Sequence, residues 1–386
     1  MMASWYCPLP FKSLSSDPMG NWNLCCEAEK SGMSVYDTSP TDFLKSDYMN
    51  NVKKGFNSPD PSKTQEILDA CKPCFDKENA GLQSKRQNEL VRYAEKDRLD
   101  FFEVKLIGNI CNFKCVSCGP NSSSSLAEEQ GVQDDYKKYH VLPDIFWNDF
   151  DEISKKFTVM NFSGGEPFMS PTVKTILKRA ITSGQSKNMR IMFNTNGYPK
   201  PERIDELLKH FKTVQLAVSI DAYGKRNEVI RRGSDWEELD DRVFEYAAIA
   251  RRNHRFSLSI NPVISILNVG YMDELNEWFQ QYKQFANHND LLQGLNFVQI
   301  PKQMNPCYMP RKIKDLYKRK PHHKALDEIY DNRRTDVSDE IFSAQLRDIS
   351  SQSNWTIDWK TYYPEFMPYL DIPPAEINKI NMTDIT

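Results

Sequence analysis

The chain has 386 residues, 39% of them hydrophobic and 12% aromatic, enough for one large catalytic domain with a smaller module and too apolar for global disorder. Fifty basic residues against 53 acidic ones leave a formal net charge of −3, which argues against a nucleic-acid or membrane-surface binder driven by bulk charge. No run approaches the roughly 18 apolar residues that span a bilayer. Residues 1–8 lack the basic start and apolar run of an export signal, so a soluble, cytoplasmic protein is expected.

Residues 1–95 are rich in Pro, Asn, Asp and Ser and have little periodicity. They read as a small loop-rich module, with helical stretches at 65–72 and 86–98. From residue 100 short apolar runs alternate with amphipathic stretches. The runs Phe101–Ile107, Thr158–Phe162, Met189–Phe193, Val214–Ile220, Phe256–Ile266 and Gly294–Ile300 are predicted strands. The stretches Ile145–Phe157, Pro171–Thr182, Arg203–Phe211, Trp236–Arg251 and Met272–Phe285 are predicted helices. This alternation predicts an α/β fold with a parallel sheet over residues 96–303, curled into a partial (β/α)6 TIM-type barrel. Ligands would bind at the C-terminal ends of its strands. Residues 304–386 are expected to be a C-terminal extension packing on the barrel. The basic run between Arg311 and Lys324 reads as a solvated helical face.

Eight of the nine cysteines lie in the first 118 residues. Without an export signal, clustered thiols point to metal or redox chemistry rather than a disulfide framework. Cys111, Cys115 and Cys118 directly follow the first predicted barrel strand. Three thiolates leave one iron of a cubane open, whereas a structural zinc site is normally closed by a fourth ligand. Gly164-Gly165-Glu166-Pro167 closes the second strand, where two glycines let a ligand approach the backbone. Alone, it could equally be an ordinary strand-to-helix turn. Asn194-Thr195-Asn196-Gly197 closes the third strand with common turn residues. Ser219 and Asp221 close the fourth and share a side. Asn261 and Ser265 share parity on the fifth. Arg231 or Arg232 reads either as a partner for a carboxylate or as solvated.

The C-x3-C-x2-C spacing at the end of a first strand, followed by the Gly-Gly-Glu-Pro and Ser-x-Asp motifs, resembles the radical S-adenosylmethionine (SAM) superfamily. The resemblance covers about residues 100–300. It implies a 4Fe–4S cluster on Cys111, Cys115 and Cys118, whose unique iron binds the amino and carboxylate groups of SAM. Reduction would cleave the sulfonium to a 5′-deoxyadenosyl radical that abstracts hydrogen from a substrate. It also implies that Gly164, Gly165, Glu166 and Pro167 contact the cofactor's amino group. Ser219 and Asp221 would hold ribose hydroxyls or the methionyl carboxylate, with Asn196 and Asn261 beside them.

Cys7, Cys25 or its neighbour Cys26, Cys71 and Cys74 form a second constellation. By residue type, four thiols suit zinc or an iron–sulfur cubane equally. Their spacing resembles the SPASM/twitch auxiliary-cluster module, which usually follows the barrel, whereas here the thiols precede it. That resemblance implies a second 4Fe–4S cluster, and a peptide substrate before a small molecule. A reductant such as flavodoxin or ferredoxin would be the redox partner. The competing reading is a non-catalytic iron–sulfur or zinc protein serving electron transfer or binding. Cys307 reads as a core thiol. No general base or radical relay can be assigned, and Tyr308, Tyr362 and Tyr363 are candidates by residue type only.

Overall fold

The computed structural model describes residues 6–58, 60, 64–79, 84–92, 100–105, 108–285, 296–298, 301–322, 324–351 and 357–373. The fold is mixed α/β with a parallel-strand sheet. The chain divides into two compact units, one of residues 1–111 and 132–216, the other of residues 112–131 and 217–386.

In the first unit the strands are β1 (Ser13–Ser16), β2 (Trp22–Asn23), β3 (Phe101–Val104), β4 (Val159–Phe162), β5 (Arg190–Thr195) and the start of β6 (Thr213–Val218). Their order is β2-β1-β3-β4-β5-β6. β1, β3, β4 and β5 are parallel, and β2 is antiparallel to β1. One face of this sheet is sealed by aromatic packing. Phe102 is fully buried, stacks on Phe157 at 4.9 Å and leans on Phe150 at 5.7 Å. Phe162 and Phe193 stack at 5.0 Å on neighbouring strands. The helix Pro171–Thr182 starts at the predicted residue because the Ser170 hydroxyl accepts the Val173 N–H and Pro171 occupies the first turn. It buries Val173, Ile176, Leu177 and Ala180, the spacing of an amphipathic helix.

The segment read as a loop-rich module holds more order than its composition announced. β1 pairs with β3, so residues 13–16 lie in the same sheet as the first predicted barrel strand. Fully buried Trp22 stacks between Phe43 at 5.4 Å and Phe146 at 6.2 Å. Short capped helices follow: Ser39 caps Pro40–Lys45 and Ser46 caps Asp47–Phe56. The predicted helix at 65–72 appears as Gln65–Ala70, and that at 86–98 as Lys85–Arg92, its remainder lying outside the described residues.

In the second unit the end of β6 is followed by β7 (Phe256–Ile260), β8 (Val263–Ile264) and β9 (Asn296–Phe297), the last two parallel. The predicted strand Phe256–Ile266 breaks at Asn261-Pro262 because proline has no N–H for a ladder. Of Gly294–Ile300, residues 296–297 form β9, while 294–295 and 299–300 lie outside the described residues. The predicted helix Met272–Phe285 stops at Gln280, with a 3-10 turn at Lys283–Phe285.

The basic run is not simply a solvated face. It forms the helix Arg311–Arg319, in which Lys314 is fully buried and pairs with Asp336 at 2.7 Å. Arg311 pairs with Asp315, and Lys312 with Asp339. The chain's later aromatics pack inward: the Tyr271 and Tyr317 hydroxyls both donate to Glu365 Oε1, at 2.6 and 2.5 Å. Tyr363 stacks on Phe366. Among the described residues no helix is long and apolar enough to cross a membrane.

Phe102→Ala is expected to destabilise the chain by about 3–5 kcal/mol, the cost of emptying a filled aromatic site. Urea unfolding checks this, and a loss below about 1 kcal/mol would contradict the packing described.

Candidate cofactor site

The loop after β3 carries Cys111, half-buried, Cys115, buried, and Cys118, exposed. In the second unit the Cys115 and Cys118 thiols hydrogen-bond each other, and this contact, followed by burial, pushes the Cys115 thiol well above its ordinary value. The loop backbone is pinned there by Lys114 N–H to Arg232 O and Val116 N–H to Ile230 O. Cys115 and Cys118 also line a cavity of about 470 Å³, together with Ser117, Asn121, Arg232 and Ile349. Among the described residues no three His, Cys, Asp or Glu side chains converge as a ready-made site for a single metal ion.

In the first unit the Gly-Gly-Glu-Pro turn locks onto the residue before Cys111. The Glu166 N–H donates to the Ile110 carbonyl at 2.7 Å. A Cβ at Gly165 would sit 2.2 Å from that same oxygen, so no other residue fits without moving backbone. Gly164 has φ 129°, which L side chains rarely adopt. His140 reaches this loop as well, its Nε2 lying 2.7 Å from Asn109 Oδ1.

The Glu166 side chain turns inward. It is fully buried. Its oxygens accept the Thr195 hydroxyl at 2.9 Å, the Asn196 N–H at 2.8 Å and the Phe168 N–H at 3.1 Å. Burial raises its carboxyl to about 7 against the lowering effect of those donors. Glu166 therefore ties the second-strand turn to the Thr195-Asn196 turn of the third. Asn196 Oδ1 accepts the Tyr198 N–H, an Asx-type turn. Pro167 opens a short 3-10 turn capped by Glu166.

In the second unit Asp221 is a hub. Its carboxylate pairs with Arg231, Nε to Oδ2 at 2.8 Å and Nη2 to Oδ1 at 3.2 Å. It also accepts the Val263 N–H at 2.8 Å. Arg231 Nη1 reaches Cys115 Sγ at 3.9 Å. Burial opposes the guanidinium's charge, but Asp221 and then Cys115 raise its pKa above the usual arginine value. Buried Asn227 and Asn268 serve as struts: Asn227 Oδ1 accepts the Asp221 N–H, and Asn268 Nδ2 donates to Asp221 O and Val263 O. Ser219 is half-buried beside this hub. Asn261 Oδ1 accepts from Asn296, and Ser265 is engaged in a turn with Asn268. Arg232 pairs with Glu129 at 2.8 Å, as does Lys114. Both arginines left open by the sequence are thus partnered. Nothing in the spacing ranked Arg231 above Arg232, and His140, Asn227 and Asn268 carried no sequence signal.

The N-terminal thiols lie in the first unit. Arg86 Nη1 donates to Tyr6 O, next to Cys7, and its other nitrogens bind Glu78. Glu29 N–H donates to Ala70 O, next to Cys71. Lys77 pairs with Glu27, two residues past Cys25. The backbone at Leu9, Glu27 and Arg86 acts to lower Cys7, Cys25 and Cys74 in turn. Burial raises all four thiols, Cys71 to about 12. Cys7 feels the charges of Cys71 and Cys74, and Cys25 that of Cys7. Cys26 instead responds first to burial and then to Glu103. Among the described residues none of the nine cysteines forms a disulfide.

Arg231→Gln leaves Asp221 buried without its counter-charge and is expected to cost about 3–5 kcal/mol. Asp221→Asn in the same chain should recover part of that loss. A double-mutant cycle by denaturant unfolding measures it, and strictly additive losses would contradict the pair.

Residues 106–277 match the model of the radical SAM superfamily. The chain is similar to radical SAM cyclopropyl synthase TigE of Paramaledivibacter caminithermalis, 24% identical over 65% of this chain and 55% of that protein. It is similar also to the AdoMet-dependent heme synthase of Methanosarcina barkeri, 26% identical over 46% of this chain and 45% of that one. The chain thus spans about half the length of these curated relatives. Among solved structures, Streptococcus suis SuiB bound to S-adenosylmethionine aligns at 13% identity over 84% of this chain and 63% of its own, with a TM-score of 0.34. SuiB bound to the precursor peptide SuiA aligns at 14% identity over 84% and 64%, with a TM-score of 0.33. Residues 106–277 thus match the radical SAM superfamily domain.

Proposed function

We propose that this chain is an enzyme that cleaves SAM reductively at a 4Fe–4S cluster held by Cys111, Cys115 and Cys118, and abstracts hydrogen from a substrate. The observation that carries the reading is the clamp of Glu166 N–H and Gly165 on Ile110, which sets the Gly-Gly-Glu-Pro turn directly against the start of the cysteine loop. The donor set suits the cluster: three thiols on one eight-residue loop, two of them already in contact. When bound, the cluster and SAM supply the electron and the carbon radical, while the protein contributes orientation and exclusion of side reactions.

The chain's own residues divide the remaining work. The bare backbone of Gly164 and Gly165 meets the cofactor's amino group, because the Glu166 carboxylate is spent on Thr195, Asn196 and Phe168. Pro167 fixes the turn. Ser219, Asp221, Asn196 and Asn261 hold the ribose and methionyl oxygens, with Arg231 orienting Asp221. The strands carrying these residues form a partial (β/α)6 barrel over residues 96–303. Residues 1–95 lend β1 and β2 to the same sheet and carry the second set of thiols, and 304–386 form an extension.

Cys7, Cys25, Cys71 and Cys74 hold a second 4Fe–4S cluster in this reading. The lowering effect of the backbone at Leu9, Glu27 and Arg86 on Cys7, Cys25 and Cys74 favours thiolate ligands, and Cys25 feels the charge of Cys7. The substrate is a peptide or a small molecule, the reductant a flavodoxin or ferredoxin, and the setting a reducing cytoplasm.

The test is anaerobic incubation with dithionite and SAM. 5′-Deoxyadenosine should form in the parent and be abolished when Cys111, Cys115 and Cys118 are all alanine. Intact clusters without cleavage would favour a non-catalytic electron carrier instead. Iron analysis should give about eight atoms per chain and about four after Cys7→Ala with Cys71→Ala, as two cubanes require. Zinc in place of the second four would overturn the auxiliary-cluster assignment.

A further inference from the structure

The register of the first unit's sheet lines up a polar row that no step above uses. Asn23 stands opposite Ser15, Ser15 opposite Glu103, and Glu103 opposite Asn161, on four neighbouring strands. Residues paired across strands share a face. The alternate positions Phe102 and Met160 are fully buried, and Phe102 packs on Phe150 and Phe157. The row therefore lines the face turned away from that aromatic layer.

A core-facing row would be apolar, yet all four members are polar. Ser15 is fully buried and Asn23 is 5% exposed. The Ser15 hydroxyl and Asn23 Oδ1 have no hydrogen-bond partner among the described residues. Buried orphans of this kind call for a ligand or a functional reason. In sequence Cys111 follows β3, and Gly164 lies three residues past Asn161, so the row leads toward the candidate cofactor turn. At its other end Asn23 precedes Cys25 by two residues.

The charges nearby decide the ligand class. The charges of Glu103, Lys85, Lys105 and Glu27 all act on Cys26. Glu89 pairs with Lys85 at 3.7 Å and Glu27 with Lys77 at 2.7 Å. Three carboxylates are matched by three ammonium groups, so no net charge selects an ion. What the row offers in excess is acceptor oxygen: the Glu103 carboxylate, Asn23 Oδ1 and Ser15 Oγ.

We propose that Asn23, Ser15, Glu103 and Asn161 form a substrate subsite for a neutral group bearing N–H or O–H donors, such as a primary amide or hydroxyl. The assignment of this ligand as substrate rests on the radical SAM reading; the donor preference itself does not. The subsite fixes the polar end of the substrate, while the reacting carbon points to the cofactor turn.

The experiment is saturation-transfer NMR on the full cluster-loaded chain, titrated with acetamide and with acetone, its isostere without N–H donors. Acetamide should bind about fivefold more tightly, the value of one good hydrogen bond. Ser15→Ala should weaken acetamide about as much while raising the Tm of the ligand-free chain, because it removes an orphaned hydroxyl. Ser15→Thr should keep acetamide binding, and Glu103→Gln should weaken it. Equal binding of acetone, or a Ser15→Ala chain with lower Tm and unchanged acetamide binding, overturns the subsite. Dithionite-driven 5′-deoxyadenosine formation is followed in the same samples. A parent that prefers acetamide but cleaves no SAM refutes the radical reading and leaves the donor site standing.

Discussion

The candidate site depends on one close approach, that of Gly165 to the carbonyl of Ile110. A single added carbon at that glycine would collide with the backbone just before Cys111. With the hydrogen bond from Glu166 N–H, the contact fixes where the cysteine loop starts relative to the turn after β4. Backbone meeting backbone leaves no slack for side-chain adjustment. The glycine pair is therefore a steric requirement of the fold before it is a ligand contact.

Charged side chains extend this order sideways. Glu166 is buried and joins two successive strand ends through Thr195 and Asn196. In the second unit Arg231 spans from Asp221 to Cys115, and Asn227 and Asn268 hold the Asp221 backbone. Such buried polar networks are costly unless every member is satisfied. Here the acids are bound by backbone N–H groups and a guanidinium, while Asn227 Nδ2 is left without a hydrogen-bond partner among the described residues. At Glu166 the carboxylate is a strut that joins two strand ends inside the protein.

Much of this was legible in the sequence, and the exceptions have physical causes. Periodicity located the helices Pro171–Thr182 and Trp236–Arg252 almost to the residue, because caps and proline mark their ends. It overran β7, where Pro262 stops the ladder. It missed β1 and β2, since Ser13–Ser16 is polar in sequence yet buried in the sheet, the opposite of a hydrophobic strand signal. The order of cysteine loop, glycine turn and Ser-x-Asp along successive strands was plain. The inward turn of Glu166 was not, for it depends on a partner 29 residues away. The buried Lys314–Asp336 pair was hidden for the same reason: composition shows a charge, and only tertiary structure shows its partner.

The proposed chemistry requires that three thiolates leave one iron open to the methionyl end of SAM. The most direct measurement is electron–nuclear double resonance on the reduced barrel cluster, in a Cys7→Ala, Cys71→Ala chain so that only one cubane contributes. SAM labelled at its amino nitrogen and carboxylate oxygens is the probe. The account predicts hyperfine coupling from both labels to the cluster. A reduced cluster in SAM-saturated protein with no coupling from either label would contradict it.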